Sequence, residues 1–408
     1  MTQDTASMPL DPMRQESAVF PQLSSQELID VLGVTIKKDD GNKLLTFLCA
    51  LSAYTEASQF NVLYSAPSSS GKSYIPIEIA ALFPPEDVLE IGYCSPTAFF
   101  HDTGHYTKEA RGYTLDLSRK IVIFLDQPHT LLLQHLRPLL SHDKKEFHLK
   151  ITDKSERGGL RTKNVFIKGF PAVIFCTGNL RMDEQEATRS LLLSPETTQE
   201  KLHQAVHERI RKEADAPTYR TTLAQHPQRQ MLKARIAAIK AARIADIKIA
   251  STVRIERWFI EKSHALRPRD TRDVGRLMSL VKAFALLNLW DRQREEGIIV
   301  AHDGDVEAAL QIWQQVSESQ EHNLPPYVFH LFREVITPAY EAQRHGLTRQ
   351  EIMKRHFEVY RRHMADWQLR QQILPMLETA GLIVQEPDQQ DRRKMVVIPV
   401  KYSESGGG

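Results

Sequence analysis

Three cysteines in 408 residues, Cys49, Cys94 and Cys176, are too few and too scattered for a disulfide framework or a metal-ligating spacing. All three lie in apolar surroundings, which suits buried thiols in a reducing cytosol. No apolar run approaches the length of a membrane span, and the N-terminus lacks the basic-then-apolar pattern of an export signal. Charge of one sign is missing too. The 53 Lys and Arg against 51 Asp and Glu leave a net +2, so any nucleic-acid signal must be local. The expectation is a soluble, cytoplasmic protein without a membrane partner. What is present is ordinary for such a chain: 41% hydrophobic and 25% charged residues, in a length that predicts two or three domains.

The most informative stretch is NVLYSAPSSSGKSYIPIEIA, residues 61–80. Asn61 to Ser65 predict a short buried strand, and Tyr74 to Leu82 predict a helix. Between them, Ala66, Pro67, Ser68, Ser69, Ser70, Gly71, Lys72 and Ser73 approach the phosphate-binding P-loop. Small residues let backbone N–H groups curl round phosphates, and a helix starting at Tyr74 points its dipole at them. Lys72 would reach the β- and γ-phosphates, and the Ser73 hydroxyl would bind Mg²⁺. The cofactors expected are therefore ATP and Mg²⁺. Ala66 stands where the usual pattern has Gly, so the turn must form without a residue free to take positive φ there. A plain Ser-rich turn is the alternative, and the strand before and helix after favour nucleotide binding.

The remaining chain supplies parts that fit round this loop. Residues 1–24 read as a loose arm. Ser25 to Leu32 predict a capped helix, and Gly41 to Thr55 a second one with the stripe Leu44, Leu45, Phe47, Leu48 and Leu51. Val88 to Tyr93 predict a strand, and Ser95 to Leu117 an insertion or hairpin. The run KIVIFLDQPH, residues 120–129, predicts a buried strand ending in Asp126, a carboxylate placed to hold the Mg²⁺ water shell. Gln127 follows it where a Glu usually polarises the attacking water. An amide orients water but does not take its proton, so either hydrolysis is slow or Asp126 is itself the base.

Leu131 to Leu140 predict a helix, and Glu146 to Lys168 a hairpin turning at Gly158-Gly159. Its tip and flanks carry Lys154, Arg157, Arg161 and Lys163. They make either a solvated surface or a grip on phosphates. Phe170 to Gly178 predict a strand that ends at Asn179, whose amide can meet a γ-phosphate or a water. With Leu191 to Leu193 the core has five candidate strands alternating with helices, the pattern of a parallel sheet covered on both faces. Pro195 to Asp215, Pro227 to Ser251 and Arg254 to Trp313 read as helical, with 270–288 the strongest amphipathic segment. Beyond Pro325-Pro326, Tyr327 to Ala342, Leu347 to His356 and Asp366 to Thr379 read as helices, followed by two strands round a polar tip. That is the winged-helix pattern, used for DNA or for protein contact. Arg370 would lie on the exposed side of the recognition helix, with Arg392, Arg393 and Lys394 on the wing.

This order of parts resembles an AAA+ ATPase of the pre-sensor-1 β-hairpin group. It resembles most the minichromosome-maintenance (MCM) helicases and the MCM-like self-loading replicative helicases of bacterial mobile genetic elements. The likeness runs from Gly41 to Val400. It rests on PSSSGKS, the basic hairpin between Asp126 and Asn179, Thr188-Arg189-Ser190 before LLLSPE, TRDVGRLMSLVKAFA, DGDVEAAL and the C-terminal winged helix. It implies an α/β fold: an AAA+ P-loop core with a five-stranded parallel sheet over 41–215, a helical lid over 216–324 and a winged-helix domain over 325–402. Residues 1–40 form the arm and short helix, the hairpin is 146–168, and 403–408 is a flexible tail. Asn179 falls at the sensor-1 position, Arg189 at the arginine finger and Arg272 at the sensor-2 arginine. No stretch resembles the MCM N-terminal DNA-binding and zinc domain, so encircling DNA would rest on the motor ring.

The function implied is an ATP-dependent DNA helicase or replication initiator. It would act as a homo-oligomeric ring, a hexamer, with single-stranded DNA in the pore and duplex at the winged helix. The alternative is a nucleotide-dependent DNA-binding switch that assembles on an origin or target site with little unwinding.

Overall fold

A computed structural model of the chain describes residues 20–95, 99, 105–107, 112–153, 161–180, 188–261, 266, 269–388 and 391–400; at 105, 107, 151–153 and 161–163 it describes backbone only. The strands in chain order are β1 (Asn61–Ser65), β2 (Val88–Ile91), β3 (His105–Thr107), β4 (Gly112–Asp116), β5 (Ile121–Phe124), β6 (Glu146–Asp153), β7 (Arg161–Lys168), β8 (Ala172–Thr177), β9 (Ser190–Leu193), β10 (Asp246–Ile249), β11 (Arg294–Glu295), β12 (Ile298–Ala301), β13 (Ile383–Pro387) and β14 (Met395–Pro399).

The central sheet has five parallel strands in the order β2-β5-β8-β1-β9. These are the five runs that the apolar pattern predicts. β1, β5, β8 and β9 are buried because their residues alternate between two cores, whereas the edge strand β2 is only partly buried. Val62 and Tyr64 of β1, Ile121 and Ile123 of β5, and Ile174 and Cys176 of β8 face the first core, with helices Asp40–Ser52 and Tyr74–Ala80. Leu63, Val122, Phe124, Val173 and Phe175 face the second, under helix Thr130–Leu140. The two covering helices lie on opposite faces for a reason. The connection from β1 travels one way along the sheet to β2, whereas β5 to β8 travels the other, and right-handed crossovers then use opposite faces. The neighbours β1 and β8 consequently send their chains away in opposite directions. A crevice opens between their carboxyl ends, where open α/β sheets take ligands.

The basic hairpin is part of a larger unit. β6 and β7 pair antiparallel from Glu146↔Lys168 to Asp153↔Arg161. β7 also pairs parallel with β4, giving a four-stranded sheet, β3-β4-β7-β6. Val165 and Ile167 bury its base in the second core. Gly169, at φ 85°, makes the return to β8 and lies so close to Ser118 that a Cβ would collide. The tip, 154–160, with Lys154 and Arg157, lies outside the described residues, as do the 403–408 tail and most of the 1–24 arm.

Residues 216–324 are less helical than their composition predicts. Helix Pro227–Ala242 stops at Arg243 in a left-handed conformation, φ 44°. The next stretch is β10, which pairs with β12, itself paired with β11. DIKI satisfies a strand period as well as a helical one: Ile247 is buried while Asp246 and Lys248 are exposed. Helices Asp270–Leu287 and Asp303–Glu321 pack this unit into the first core of the main sheet. The buried Arg292–Asp305 pair, 2.6 Å, ties its hairpin to the second of them. The predicted P-loop helix is shorter than expected, Tyr74–Ala80.

The segment from Pro326 has its own core. Three helical segments, 326–343, Arg349–Tyr360 and 366–379, precede the antiparallel hairpin β13–β14, and Leu347 bridges to Val397. The first and third carry a π turn, at Phe332–Ile336 and Leu369–Ile373.

Candidate functional site

The loop 66–73 leaves β1 at the crevice between β1 and β8. Ala66 and Pro67 are buried, while Ser68, Ser69 and Gly71 are exposed. The positive φ that Ala66 does not take is taken elsewhere: Ser69 has φ 62° and Gly71 φ 89°. The loop therefore turns without the missing glycine. Ser70 Oγ is buried inside it with no hydrogen-bond partner. At the helix start, the Tyr74 hydroxyl donates to the Thr35 carbonyl at 3.0 Å.

Cys176, near the end of β8, reports how the motif residues converge. Its thiol is pushed up to about 12, chiefly by burial and further by the Asp126 carboxylate, with a Ser73 hydrogen bond and the Lys72 ammonium pulling the other way. Lys72 and Ser73 thus lie beside this thiol, which donates to the Lys72 carbonyl at 3.5 Å, and Asp126 acts on it through its charge. Gly178, two residues on, lies against the loop: a side-chain carbon there would sit in ordinary contact, 3.9 Å from both Lys72 Nζ and Ser68 Oγ. Among the described residues, Lys72 has no carboxylate within salt-bridge distance. A half-buried ammonium, an orphaned buried hydroxyl and a glycine-lined cradle suit a polyphosphate. No group of three His, Cys, Asp or Glu side chains gathers among the described residues to cage a metal. One hydroxyl and one carboxylate suit Mg²⁺, which keeps its waters and shares phosphate oxygens.

Asp126 lies two residues past β5, with its carboxylate accepting from the Gln127 N–H at 2.8 Å. Gln127 is joined to the site by Thr177, which sequence reasoning treated only as a strand residue. The Thr177 hydroxyl donates to Gln127 Oε1 at 3.0 Å and accepts from the Asn179 N–H at 3.0 Å. Gln127 therefore has its oxygen engaged and its NH₂ donors outward. Asn179 is at the same edge, and its Oδ1 accepts from Gln372 at 3.0 Å.

Arg189 and Arg272 lie at the other end of the sheet. Arg189 immediately precedes β9, and its carbonyl accepts from Asn61, the first residue of β1, at 3.3 Å. From Asn61 to Ser65 the strand spans about 13 Å, and the P-loop lies beyond. Arg189 Nε donates to Ser141 at 2.7 Å, and Arg272 donates to the Thr188 hydroxyl at 2.5 Å. Arg276, which the sequence did not single out, donates to the Thr188 carbonyl and pairs with buried Asp273 at 2.7 Å. Burial lowers its pKa to about 10. These arginines line a cavity of about 500 Å³ with Asn61, Ser141 and Thr188. Asp273 was hidden from sequence reasoning because it reads as one more acidic residue of a helix first turn.

The expected DNA residues are dispersed. Arg161 and Lys163 sit on β7 opposite Asp153 and Ile151, described by backbone alone. Arg370 is exposed on the segment 366–379. On the β13–β14 turn, Arg393 and Lys394 both pair with Asp391, at 3.1 and 3.6 Å, whereas Arg392 has no acidic partner among the described residues. No described helix is long and apolar enough to cross a membrane. No protein-family model matches the chain, and no curated protein matches it.

Proposed function

We propose that the chain is an ATP-dependent DNA helicase or replication initiator of the AAA+ kind, built like the MCM-like helicases and working as a ring of identical subunits. One observation carries this reading. The residues suited to ATP and Mg²⁺ gather at the carboxyl edge of the parallel sheet, while Arg189 and Arg272 stand at its amino edge, farther away than one side chain spans. A site of this kind is completed by the amino edge of a neighbour, and repetition of one head-to-tail contact closes a ring.

Within one subunit, the 66–73 backbone and Lys72 would bind and orient the phosphates, and Ser73 with Asp126 would hold Mg²⁺. The bound ion would neutralise charge on the β- and γ-phosphates. Gln127 would hold the attacking water through its NH₂, its orientation set by Thr177. Asn179 would lie at the γ-phosphate, and the neighbour's arginines would stabilise the charge that develops there. The DNA part of the reading is supported by the placement of the β6–β7 hairpin. Its two ends join the chain between β5 and β8, whose carboxyl ends carry Asp126, Gln127 and Asn179, so a shift at those residues reaches the basic tip through packed strands.

The second reading, a nucleotide-dependent DNA-binding switch with little unwinding, is favoured by Gln127. Its acceptor oxygen is bound by Thr177, and an amide takes no proton. A strand-displacement assay with ATP and with a non-hydrolysable analogue separates the two. Unwinding that needs hydrolysis supports the helicase, whereas DNA binding with either nucleotide and no displacement supports the switch.

A further inference from the structure

The C-terminal domain, expected to act on DNA, sits on the nucleotide edge of the sheet. Arg362 Nη2 donates to the carbonyl of Ser68, in the P-loop, at 2.7 Å. Gln372 reaches Asn179. Leu180, one residue further on, is wholly buried in the core of the C-terminal domain and not in the cores of the sheet. The first helical segment is tied in as well. The Tyr327 N–H donates to Ser194 Oγ at 3.0 Å, and that hydroxyl donates to the carbonyl of Ser65, the last residue of β1, at 2.7 Å.

Arg362 is held from behind. Its carbonyl can only accept, so His356 Nδ1 carries the proton of their 2.9 Å bond. Burial pushes His356 down to about 4, so the ring is neutral and Nε2 accepts from the Tyr327 hydroxyl at 3.0 Å. Tyr327, His356 and Arg362 form one line from the domain core to the P-loop. At its end a guanidinium spends a donor on a neutral carbonyl and has no carboxylate partner among the described residues. A guanidinium has five donors and no means of losing its charge. Its partner carbonyl belongs to the loop that carries Lys72, so it is a second cation at that loop, and neither cation has a carboxylate within salt-bridge distance among the described residues.

We propose that Arg362 is a nucleotide-binding residue, which the C-terminal domain supplies to the phosphates of the nucleotide held by the P-loop of its own chain. This deepens the ATPase reading and rests on it. The wing carried by that domain is thereby linked to the nucleotide through Arg362, Gln372 and Leu180.

The test is an equilibrium titration of the full chain with a fluorescent ATP analogue, for the parent, Arg362→Gln, Arg362→Lys and Lys72→Ala, with a thermal melt of each. Glutamine keeps a donor for Ser68 and removes the charge. Arg362→Gln is expected to weaken binding about tenfold or more, the scale of one charged hydrogen bond. Arg362→Lys is expected to stay within about threefold of the parent, since it keeps the cation but not the fork. Parent-like binding by Arg362→Gln, or an equal loss in Arg362→Lys, overturns the proposal. Lys72→Ala separates the two layers. If it binds like the parent, the P-loop reading itself falls and this inference with it. If it loses binding while Arg362→Gln does not, only this inference falls.

Discussion

The two edges of the parallel sheet differ in what they lack. Among the described residues, the carboxyl edge has an ammonium without a carboxylate within salt-bridge distance, a buried hydroxyl without a hydrogen bond and a loop bent through Ser69 and Gly71. At the amino edge the arginines are held by protein partners: Arg189 on Ser141, Arg272 and Arg276 on Thr188, Asp273 between Arg269 and Arg276 at 3.0 and 2.7 Å, with His142 Nε2 beside them buried and without a hydrogen bond among the described residues. The first edge has the chemistry to take an anion, and the second holds its arginines at fixed positions. Pre-set donors cost no reorganisation when charge develops. On the proposed reading neither edge is a site alone, and a neighbouring copy would complete it.

The largest break in this contrast is expected from Lys72→Ala, which removes the carboxyl edge's one P-loop cation. Nucleotide turnover should be abolished while the thermal melt stays close to the parent's, because the half-exposed Lys72 supports no core. Turnover at the parent's rate would place the nucleotide elsewhere. Next comes Arg189→Ala. Removing a finger costs about 10³- to 10⁵-fold in turnover where such a group acts, and nucleotide affinity in a single subunit should hardly change, since Arg189 is at the far edge. A large loss of affinity in dilute, unassembled protein would contradict the separation.

The proposed DNA contacts, on the β6–β7 hairpin and the β13–β14 turn expected to be a wing, extend the contrast. Replacing Lys154 and Arg157 by Ala is expected to remove unwinding and DNA-stimulated turnover, leaving basal turnover in place; unchanged unwinding makes the hairpin an ordinary surface. On the wing, Arg392→Ala should lower the salt slope of duplex binding by about one. Arg393→Ala should do less, because Arg393 must first leave Asp391. Binding and unwinding across several salt concentrations read both. Gln127→Glu is expected to raise turnover by giving the water a proton acceptor; a fall would show that the Thr177-held amide is tuned for its place and that another group is the base, Asp126 being the first candidate.

The smallest effect is on stability, and each edge contributes. His142, in the arginine-lined cavity, and His356, behind Arg362, are both pushed down to about 4 by burial, from an ordinary 6.5. The unfolded chain binds their protons below about 6.5 and the folded chain does not. Stability is therefore full above that pH and falls as pH drops toward 4, by up to about 2 kcal/mol each at pH 5. Thermal melts at pH 7 and pH 5 should show the loss, and His356→Gln should remove about half of it.

The five core strands were legible because each is local: an apolar run with a punctuated end. Their order in the sheet was not, since it depends on crossovers and not on any one window. β10 was missed because DIKI follows an Ala- and Ile-rich helix and fits both periods. Arg362 was invisible for a plainer reason. It meets Ser68 across 294 residues of chain, and nothing near it distinguishes it from the neighbouring surface arginine. Thr177 and Arg276 read as strand and helix residues because their roles lie in partners from other elements.

The division of one catalytic site between two edges is tested most directly by mixing subunits. Arg189→Ala keeps its carboxyl edge and Lys72→Ala keeps its amino edge, and each alone should be nearly inactive. Mixed at varied ratios, they should regain turnover, greatest at intermediate ratios, because the second can supply Arg189 to the first. No recovery at any ratio, with both variants assembled and folded, would contradict a site shared between subunits.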